Sequence, residues 1–147
     1  MFVERMLPRA RERLAVVGAE APVREAADLM AKPHTDLVVV CGGDGRLVGV
    51  LTKTDIVGQI RQCSGCSCTA RVDTIMTCNA VVCGPGDELQ AIWSAMKKGG
   101  VQRVPVVDQD GRPLGIIYAR DALQLLLSEV EDEEALLRDY VMNIGYQ

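Results

Sequence analysis

Apolar and polar residues along this chain follow two spacings that alternate in a fixed order. Short aliphatic runs bounded by Gly, Asp or Pro are typical of strands, and three such runs occupy residues 14–17, 36–41 and 47–51. After the first run, apolar residues recur at helical spacing from Pro22 to Met30, which predicts an amphipathic helix. A second helix is predicted to begin at Thr52 or Thr54. The order is therefore strand, helix, strand, strand, helix, which predicts an α+β fold.

The same order returns 66 residues further along the chain. The segment from Gly49 to Asp55 recurs as Gly115 to Asp121, and other identical pairs at this offset are Gly18/Gly84, Met30/Met96, Val38/Val104, Val40/Val106, Asp44/Asp110, Gly45/Gly111 and Arg46/Arg112. A unit this small seldom buries its apolar face alone, because it lacks enough surface of its own. The two repeats are therefore expected to pack as a pseudo-twofold pair.

The second copy predicts the same elements as the first. Its strands are expected at residues 80–83, 102–108 and 114–118, and its last helix is expected to begin near Asp121. Its amphipathic helix has four apolar residues on one face, Leu89, Ile92, Trp93 and Met96. Residues 86–88 (Gly-Asp-Glu) suit a capped start for that helix. In both copies an Asp-Gly pair, at residues 44–45 and 110–111, predicts a hairpin turn.

These patterns divide the chain into four segments. Residues 1–62 form the first repeat, 63–70 a cysteine-rich linker, 71–130 the second repeat and 131–147 an acidic tail that is periodic in Leu. The tail is expected to be helical and to pack on the pair or on a partner. A short segment, which we call the lead, precedes the first strand of each repeat: residues 3–7 in the first copy resemble residues 72–76 in the second. Their offset is 69 and not 66, so the first copy has three extra residues near Pro8 to Arg13, which we expect to form an exposed turn or a helical extension.

Composition argues against several classes of function. The chain has 147 residues and a formal net charge of −4, which does not suit a general nucleic-acid binder. Its apolar runs are far shorter than the roughly 18 residues that a membrane-spanning helix needs, and its N-terminus lacks the pattern of a signal peptide. We therefore expect a cytoplasmic protein with no nucleic-acid or membrane partner. The sequence has no Walker loop, no Gly-x-Gly-x-x-Gly segment and no evident nucleophile and base, so it does not predict an enzyme.

The cysteines support an alternative function. Cys63, Cys66 and Cys68 stand together in the linker, and two thiolates at Cys-x-x-Cys spacing can bind one metal ion. Cys68, Cys78 or Cys83 would complete a tetrahedral site if the linker folds back. Because a second Cys-x-x-Cys pair is missing, reduced thiols without a metal are the simplest interpretation, and a metal-binding or redox-responsive sensor is the alternative.

Three short motifs together indicate a family. A segment of Gly, two hydrophobic residues, Thr, two variable residues and Asp ends at Asp55, a Val-Pro-Val-Val-Asp strand occupies residues 104–108, and Ile-Met-Thr at 75–77 leads into the second repeat. Over roughly residues 3–130 the chain resembles a tandem cystathionine-β-synthase (CBS) domain pair, the Bateman module. The resemblance implies a regulatory, signal-transducing module that binds AMP, ADP, ATP or S-adenosylmethionine between its repeats. It also implies a homodimer shaped as a flat disc of four units, which acts in trans on another protein.

Carboxylates at two strand-to-helix junctions are the first candidates for nucleotide contacts. Asp55 and Asp121 each stand where one carboxylate can accept hydrogen bonds from both hydroxyls of a ribose. Thr52 can form a hydrogen bond with a ribose or phosphate oxygen. The free N–H groups of a helix N-terminus favour an anion there. Small or aliphatic strand residues would enclose the adenine, namely Val16, Val17, Val82 and Cys83. The alternative is that Thr52, Asp55 and Asp121 only cap their helices.

The two predicted pockets are not equivalent. The resemblance implies phosphate contacts just before the hydrophobic-Pro-Val strand, where the second copy has Gln102 and Arg103 but the first has Asp36 and Leu37. Lys53 and Arg120 are further phosphate candidates, and Arg103 has the alternative of a solvated surface charge. Tyr118 replaces the Thr or Ser expected in the second copy, where it can stack on a ligand, donate a hydrogen bond or fill the cleft.

Overall fold

The computed structural model describes residues 1–33, 35–62 and 70–145. In chain order its helices and strands are α1 Leu7–Glu12, β1 Val16–Gly18, α2 Val23–Met30, β2 Leu37–Cys41, β3 Leu47–Thr52, α3 Lys53–Gln62, α4 Leu89–Gly99, β4 Arg103–Val107, β5 Pro113–Tyr118 and α5 Ala119–Gly145. Two 3-10 turns, Val3–Met6 and Val72–Thr74, begin the leads of the first and second units. The predicted α+β fold with two similar units is confirmed.

Both predicted hairpins form. β2 pairs antiparallel with β3, and β4 pairs antiparallel with β5. Gly45 and Gly111 have φ angles of 82° and 84° in the two turns, a conformation that glycine adopts without a steric penalty because it has no Cβ. In the first unit β1 also lies parallel to β2, with Val17 opposite Val40, so that unit has a three-stranded sheet.

The prediction of a strand at residues 80–83 is wrong. Only Cys83 pairs with β4 there, through a single bridge to Val106. Comparison of the two units gives the reason. In the first unit the Val39 N–H donates to the Ala15 carbonyl at 2.8 Å, which ties β1 to β2. Pro105 occupies the position equivalent to Val39 and has no N–H to donate. The second unit therefore loses a hydrogen bond of the ladder, and its sheet has only β4 and β5 as full strands.

The two leads are exchanged between the units. In the first lead, the Val3 N–H donates to the Asp87 carbonyl of the second unit at 2.8 Å. In the second lead, the Val72 N–H donates to the Ala21 carbonyl of the first unit, also at 2.8 Å. The three extra residues of the first lead belong to the helical extension α1, which packs against β5. Each unit is thus completed by a segment that precedes the other unit in sequence.

Burial follows this exchange. Val3 and Met6 of the first lead are buried in the core of the second unit. Val72 of the second lead is buried in the core of the first unit. A third apolar cluster lies between the two sheets and consists of Leu37, Val39, Cys41, Val50, Ile116 and Tyr118. The two units therefore share apolar surface, as expected for a pair of small repeats.

Two helix ends differ from the prediction. α4 begins after Glu88, whose side chain makes no capping hydrogen bond, while the carboxylate of Asp87 accepts a hydrogen bond from the Gly84 N–H at 2.8 Å. α5 begins at Ala119 and continues as one helix to Gly145, so the predicted tail is an extension of that helix. Among the described residues, no helix combines the length and the apolar character needed to cross a membrane.

Gly115 on β5 lies against the backbone of α1. A Cβ atom at Gly115 would lie 2.6 Å from the Ala10 carbonyl carbon, whereas at Gly49 the nearest atom would be the flexible Met76 Sδ at 2.7 Å. We therefore expect Gly115→Ala to lower the free energy of unfolding by about 1–3 kcal/mol through overpacking. Thermal unfolding followed by circular dichroism measures the loss. Gly86→Ala is the control, because a Cβ there meets nothing within 4 Å, and equal melting temperatures for the two variants would contradict the prediction.

Candidate functional site

The first candidate junction, where β3 passes into α3, is a reciprocal helix cap. The Thr52 N–H and hydroxyl donate to Asp55 Oδ2 at 3.0 and 3.1 Å. The Asp55 N–H donates back to Thr52 Oγ1 at 3.3 Å. Thr52 and Asp55 therefore do cap α3, as the alternative interpretation predicted. The same contacts hold a hydroxyl and a carboxylate together at the helix N-terminus. Ribose binding by this pair stays a prediction.

Asp36 connects the two units through two cations. Its Oδ1 lies 3.1 Å from Lys53 Nζ of the first unit, and its Oδ2 accepts a hydrogen bond from Arg103 Nη2 of the second unit at 2.6 Å. The hydrogen bond from Lys53, assisted by that from Arg103, holds the pKa of Asp36 below its ordinary value. Arg103 Nε is buried and has no hydrogen-bond partner within the described part of the chain. Two phosphate candidates from different repeats thus meet at one carboxylate.

Tyr118 is buried at the same place. Its ring centroid lies 4.6 Å from the Arg13 Cζ and 5.2 Å from the Arg103 Cζ, within the range of cation–π interactions. Its hydroxyl oxygen accepts a hydrogen bond from the Asp36 N–H at 3.3 Å. Because Tyr118 is also part of the apolar cluster between the sheets, its side chain fills space where the first copy has a threonine.

Asp121 is paired with an arginine that the sequence analysis did not single out. Arg13 Nε and Nη2 donate to the two carboxylate oxygens of Asp121 at 3.0 and 3.2 Å, which is a bidentate arrangement. Arg9 Nε lies 3.6 Å from Asp121 Oδ1. The hydrogen bond with Asp121 raises the pKa of Arg13, and Asp121 itself is only 5% exposed. The second ribose candidate is therefore occupied within the chain.

We call this set of contacts the junction cluster, consisting of Arg13, Asp36, Lys53, Arg103, Tyr118 and Asp121. Four of its members were predicted as site residues. Arg13 was missed because it belongs to the first lead and stands 108 residues from Asp121 in sequence. The contact depends on the exchange of the leads, for which the sequence has no local signal.

A cavity of about 410 Å³ adjoins the junction cluster, between the end of α4, the start of β4 and the start of α5. It brings together the predicted residues Gln102, Arg103, Tyr118 and Arg120, and it adds Trp93 and Lys97. Three of its lining side chains are cationic and none is a carboxylate. The cavity therefore favours an anionic ligand group, with aromatic side chains on its wall.

The residues predicted to enclose the adenine lie in two other cavities, Val16 with Val17 and Val82 with Cys83. Val17 lines a cavity of about 420 Å³ beside α2, and Cys83 lines one of about 570 Å³ beside residues 84–87. Both side chains are buried in the cores of their units. Burial raises the pKa of the Cys83 thiol to about 12, so this thiol is neutral at physiological pH. Contact of either residue with adenine stays a prediction.

The predicted metal ligands are the cysteines of the linker. Cys63, Cys66 and Cys68 lie outside the described residues. Within the part of the chain that is described, no three His, Cys, Asp or Glu residues are grouped so that they could hold a metal ion. Cys41 and Cys83 are buried there, and Cys78 is exposed.

Comparison with known proteins identifies the repeated unit. The family model of the CBS domain matches this chain twice, at residues 6–62 and 72–128. The chain belongs to the CBS-domain family. The tandem CBS pair expected from the sequence motifs is thereby confirmed, and each CBS match includes one of the two strand-to-helix junctions described above.

Solved structures share the fold of this CBS pair. A CBS-domain protein from Agrobacterium tumefaciens is 29% identical, with a TM-score of 0.70 over 84% of this chain and 91% of that protein. A CBS pair solved with 5′-methylthioadenosine and S-adenosyl-L-methionine is 22% identical, with a TM-score of 0.72 over 88% and 98% of the two chains. A CBS protein solved with AMP is 23% identical, with a TM-score of 0.69 over 80% and 90%. At 22% and 23% identity, the last two structures show only that the fold is shared.

Curated relatives include much longer proteins. A homoserine O-acetyltransferase of Methanohalobium evestigatum is 26% identical over 115 residues, which are 78% of this chain but only 22% of that enzyme. An uncharacterized 17.7 kDa protein of Acidianus ambivalens is 26% identical over 118 residues, or 80% of this chain and 70% of that protein. Since the CBS pair spans about a fifth of the acetyltransferase, that likeness carries no evidence of acetyl transfer by this chain.

Proposed function

We propose that this CBS pair is a regulatory module that binds an adenosine-containing nucleotide at the junction cluster and acts on another protein. The observation that carries the proposal is the meeting of Lys53 and Arg103, one from each unit, at a single carboxylate. Arg103 also keeps a buried Nε without a hydrogen-bond partner in the described chain. A buried donor without a partner is unfavourable, and a phosphate oxygen would supply the missing acceptor.

The neighbouring groups have the chemistry that the rest of a nucleotide requires. Thr52 and Asp55 present a hydroxyl and a carboxylate at the N-terminus of α3, where ribose hydroxyls can donate to the carboxylate. The adjoining cavity is also lined by Arg103 and adds two further cations for phosphates, Lys97 and Arg120. Structural neighbours were solved with AMP in one case and with 5′-methylthioadenosine and S-adenosyl-L-methionine in another, which supports testing adenosine compounds with and without a phosphate.

A ligand at this place would influence both units, because its contacts would come from both. Asp36 now holds Lys53 and Arg103 together, and a phosphate that binds either cation competes with that carboxylate. Binding would then favour the relative position of the units in which the phosphate contacts are best. A partner protein that contacts both units would respond to this difference, which is how we propose that the module regulates in trans.

A thermal-shift panel tests ligand binding directly. The reduced 147-residue chain is heated with AMP, ADP, ATP, adenosine or S-adenosylmethionine, since a ligand that binds only the folded state raises the melting temperature. We expect a shift of roughly 2–4 °C per kcal/mol of stabilisation for a chain of this size. No shift with any adenosine compound at millimolar concentration would refute the proposed function.

The proposal includes a homodimer formed through α3 and α5. Val57 and Ile60 on α3 are 63% and 57% exposed, and Leu123 on α5, at the position equivalent to Val57, is 39% exposed. Apolar side chains at equivalent positions of the two units suit a two-fold interface in which each copy presents the same surface. Light scattering should give twice the chain mass of 15.9 kDa. Val57→Glu should shift the mass to that of one chain, whereas a wild-type monomer at micromolar concentration would exclude this dimer.

A further inference from the structure

We infer that Arg13 determines which adenosine ligands can use Asp121, admitting nucleotides that carry a phosphate and rejecting those that lack one. The inference rests on the proposed function and adds a ligand class and a residue outside the predicted site. Its basis is that Asp121, the ribose candidate of the second unit, already holds a positively charged side chain of the same chain.

The Arg13–Asp121 pair is shielded from water. The two side chains are 15% and 4% exposed, and both carboxylate oxygens accept hydrogen bonds from the guanidinium group. Because Asp121 is only 5% exposed and Arg13 covers both of its oxygens, a ribose reaches this carboxylate only when Arg13 moves aside. Separating a partly buried ion pair is costly when one charge is left without a partner, and ribose hydroxyls are neutral. A ligand with no other charged group therefore gains little at this position.

A phosphate changes this balance because it offers Arg13 a new anionic partner. The planar guanidinium group forms two parallel hydrogen bonds with phosphate as readily as with carboxylate. The Cζ atoms of Arg13 and Arg103 both lie within 5.2 Å of the Tyr118 ring centroid, so both cations pack against the same aromatic side chain. Asp121 would then bind the ribose while Arg13 binds the phosphate.

The charge of the cluster distinguishes between ligands that share the adenosine group. Around the proposed ligand site the chain places four cations, Arg9, Arg13, Lys53 and Arg103, and three carboxylates, Asp36, Asp55 and Asp121. An anionic nucleotide compensates this excess. S-adenosylmethionine carries a positively charged sulfonium next to its ribose and would add to the excess, since like charges brought together are unfavourable.

Release of Arg13 requires no movement of its helix. Arg13 is the residue that follows α1, and α1 is fixed by the close contact of Ala10 with Gly115. With α1 held in place, the exchange of Asp121 for phosphate would come from rotation of the Arg13 side chain. The first lead thus contributes to the choice of ligand as well as to the core of the second unit.

Calorimetric titration of the full chain with ATP, AMP, adenosine and S-adenosylmethionine tests the inference. For wild-type protein we expect ATP and AMP to bind at least about tenfold more tightly than adenosine or S-adenosylmethionine, as one charge-assisted contact would give. Arg13→Met should tighten adenosine binding and weaken ATP binding, so that the ratio of the two affinities falls about tenfold or more. Arg11→Met, an exposed change on α1, the helix that Arg13 follows, should leave the ratio unchanged.

A second variant guards against loss of the fold, because Arg13→Met leaves Asp121 without its partner. Arg13→Lys keeps a cation opposite Asp121 but loses the bidentate geometry, and it should lower the ATP-to-adenosine ratio less than Arg13→Met does. An unchanged ratio in a folded Arg13 variant would overturn the inference, and so would S-adenosylmethionine binding to wild-type protein as tightly as ATP. Either result would leave the proposed function intact, whereas wild-type protein that binds none of the four compounds would overturn both.

Discussion

Replacement of Asp55 by alanine is expected to weaken binding of an adenine nucleotide by about tenfold or more, since a carboxylate that accepts ribose hydroxyls makes charge-assisted hydrogen bonds. The fold should survive. The substitution removes the acceptor of two Thr52 hydrogen bonds, and loss of a helix cap typically costs about 1 kcal/mol. Titration calorimetry measures the affinity, and circular dichroism measures the melting temperature of the same samples.

A matched control separates the contact from the charge. Asp132→Ala removes the same charge from an exposed position on α5, so it should leave the affinity unchanged. If Asp55→Ala binds the nucleotide as tightly as wild-type protein while its melting temperature falls, Asp55 serves only as a helix cap. The ribose contact would then have to come from another residue.

Removal of residues 1–12 is expected to unfold the second unit rather than the first. The deletion takes Val3 and Met6 from the core of the second unit and takes α1 from its contact with β5. Burial of one such side chain contributes roughly 1.5–3 kcal/mol, so the loss of both is comparable with the roughly 5–15 kcal/mol that stabilises a typical domain. The first unit keeps its own core residues and the second lead.

Trp93 reports on this outcome because it is the only tryptophan of the chain and packs against the core of the second unit. The shortened protein should show red-shifted tryptophan emission, since the indole becomes exposed to water. Val3→Ala should give a smaller loss of stability with the emission maximum retained, and Leu136→Ala, at a site that is 69% exposed, should change neither. Native emission and an unchanged melting temperature after the deletion would show that the exchanged lead is dispensable.

Local patterns were sufficient to predict most of the elements. The turns at Gly45 and Gly111 and the amphipathic helices depend on residues close in sequence, so their signals are short and specific. The missing strand at residues 80–83 depends on a partner some 20 residues away, where Pro105 replaces Val39 of the first copy. Alignment of the two repeats would have revealed it, because the proline cannot donate the equivalent hydrogen bond.

The exchange of the leads could not be predicted in the same way. Val3 and Val72 begin segments that resemble each other, so either segment fits either unit by pattern alone. Only the three-dimensional path of the chain decides between the two pairings. The Arg13–Asp121 pair follows from that decision, which is why the predicted site contained Asp121 but not the residue that occupies it.

The exchange also predicts an order of folding as the chain is synthesised. The second lead contacts residues that are synthesised before it, since Val72 packs against the unit that precedes it in the chain. The first lead must wait, because the Val3 N–H bonds to Asp87 and its side chain packs with Val104 and Ile117. Contacts so distant in sequence form slowly, because a long loop must close before they are made. We therefore expect the unit encoded first to be completed first, and the segment at the start of the chain to take its place last.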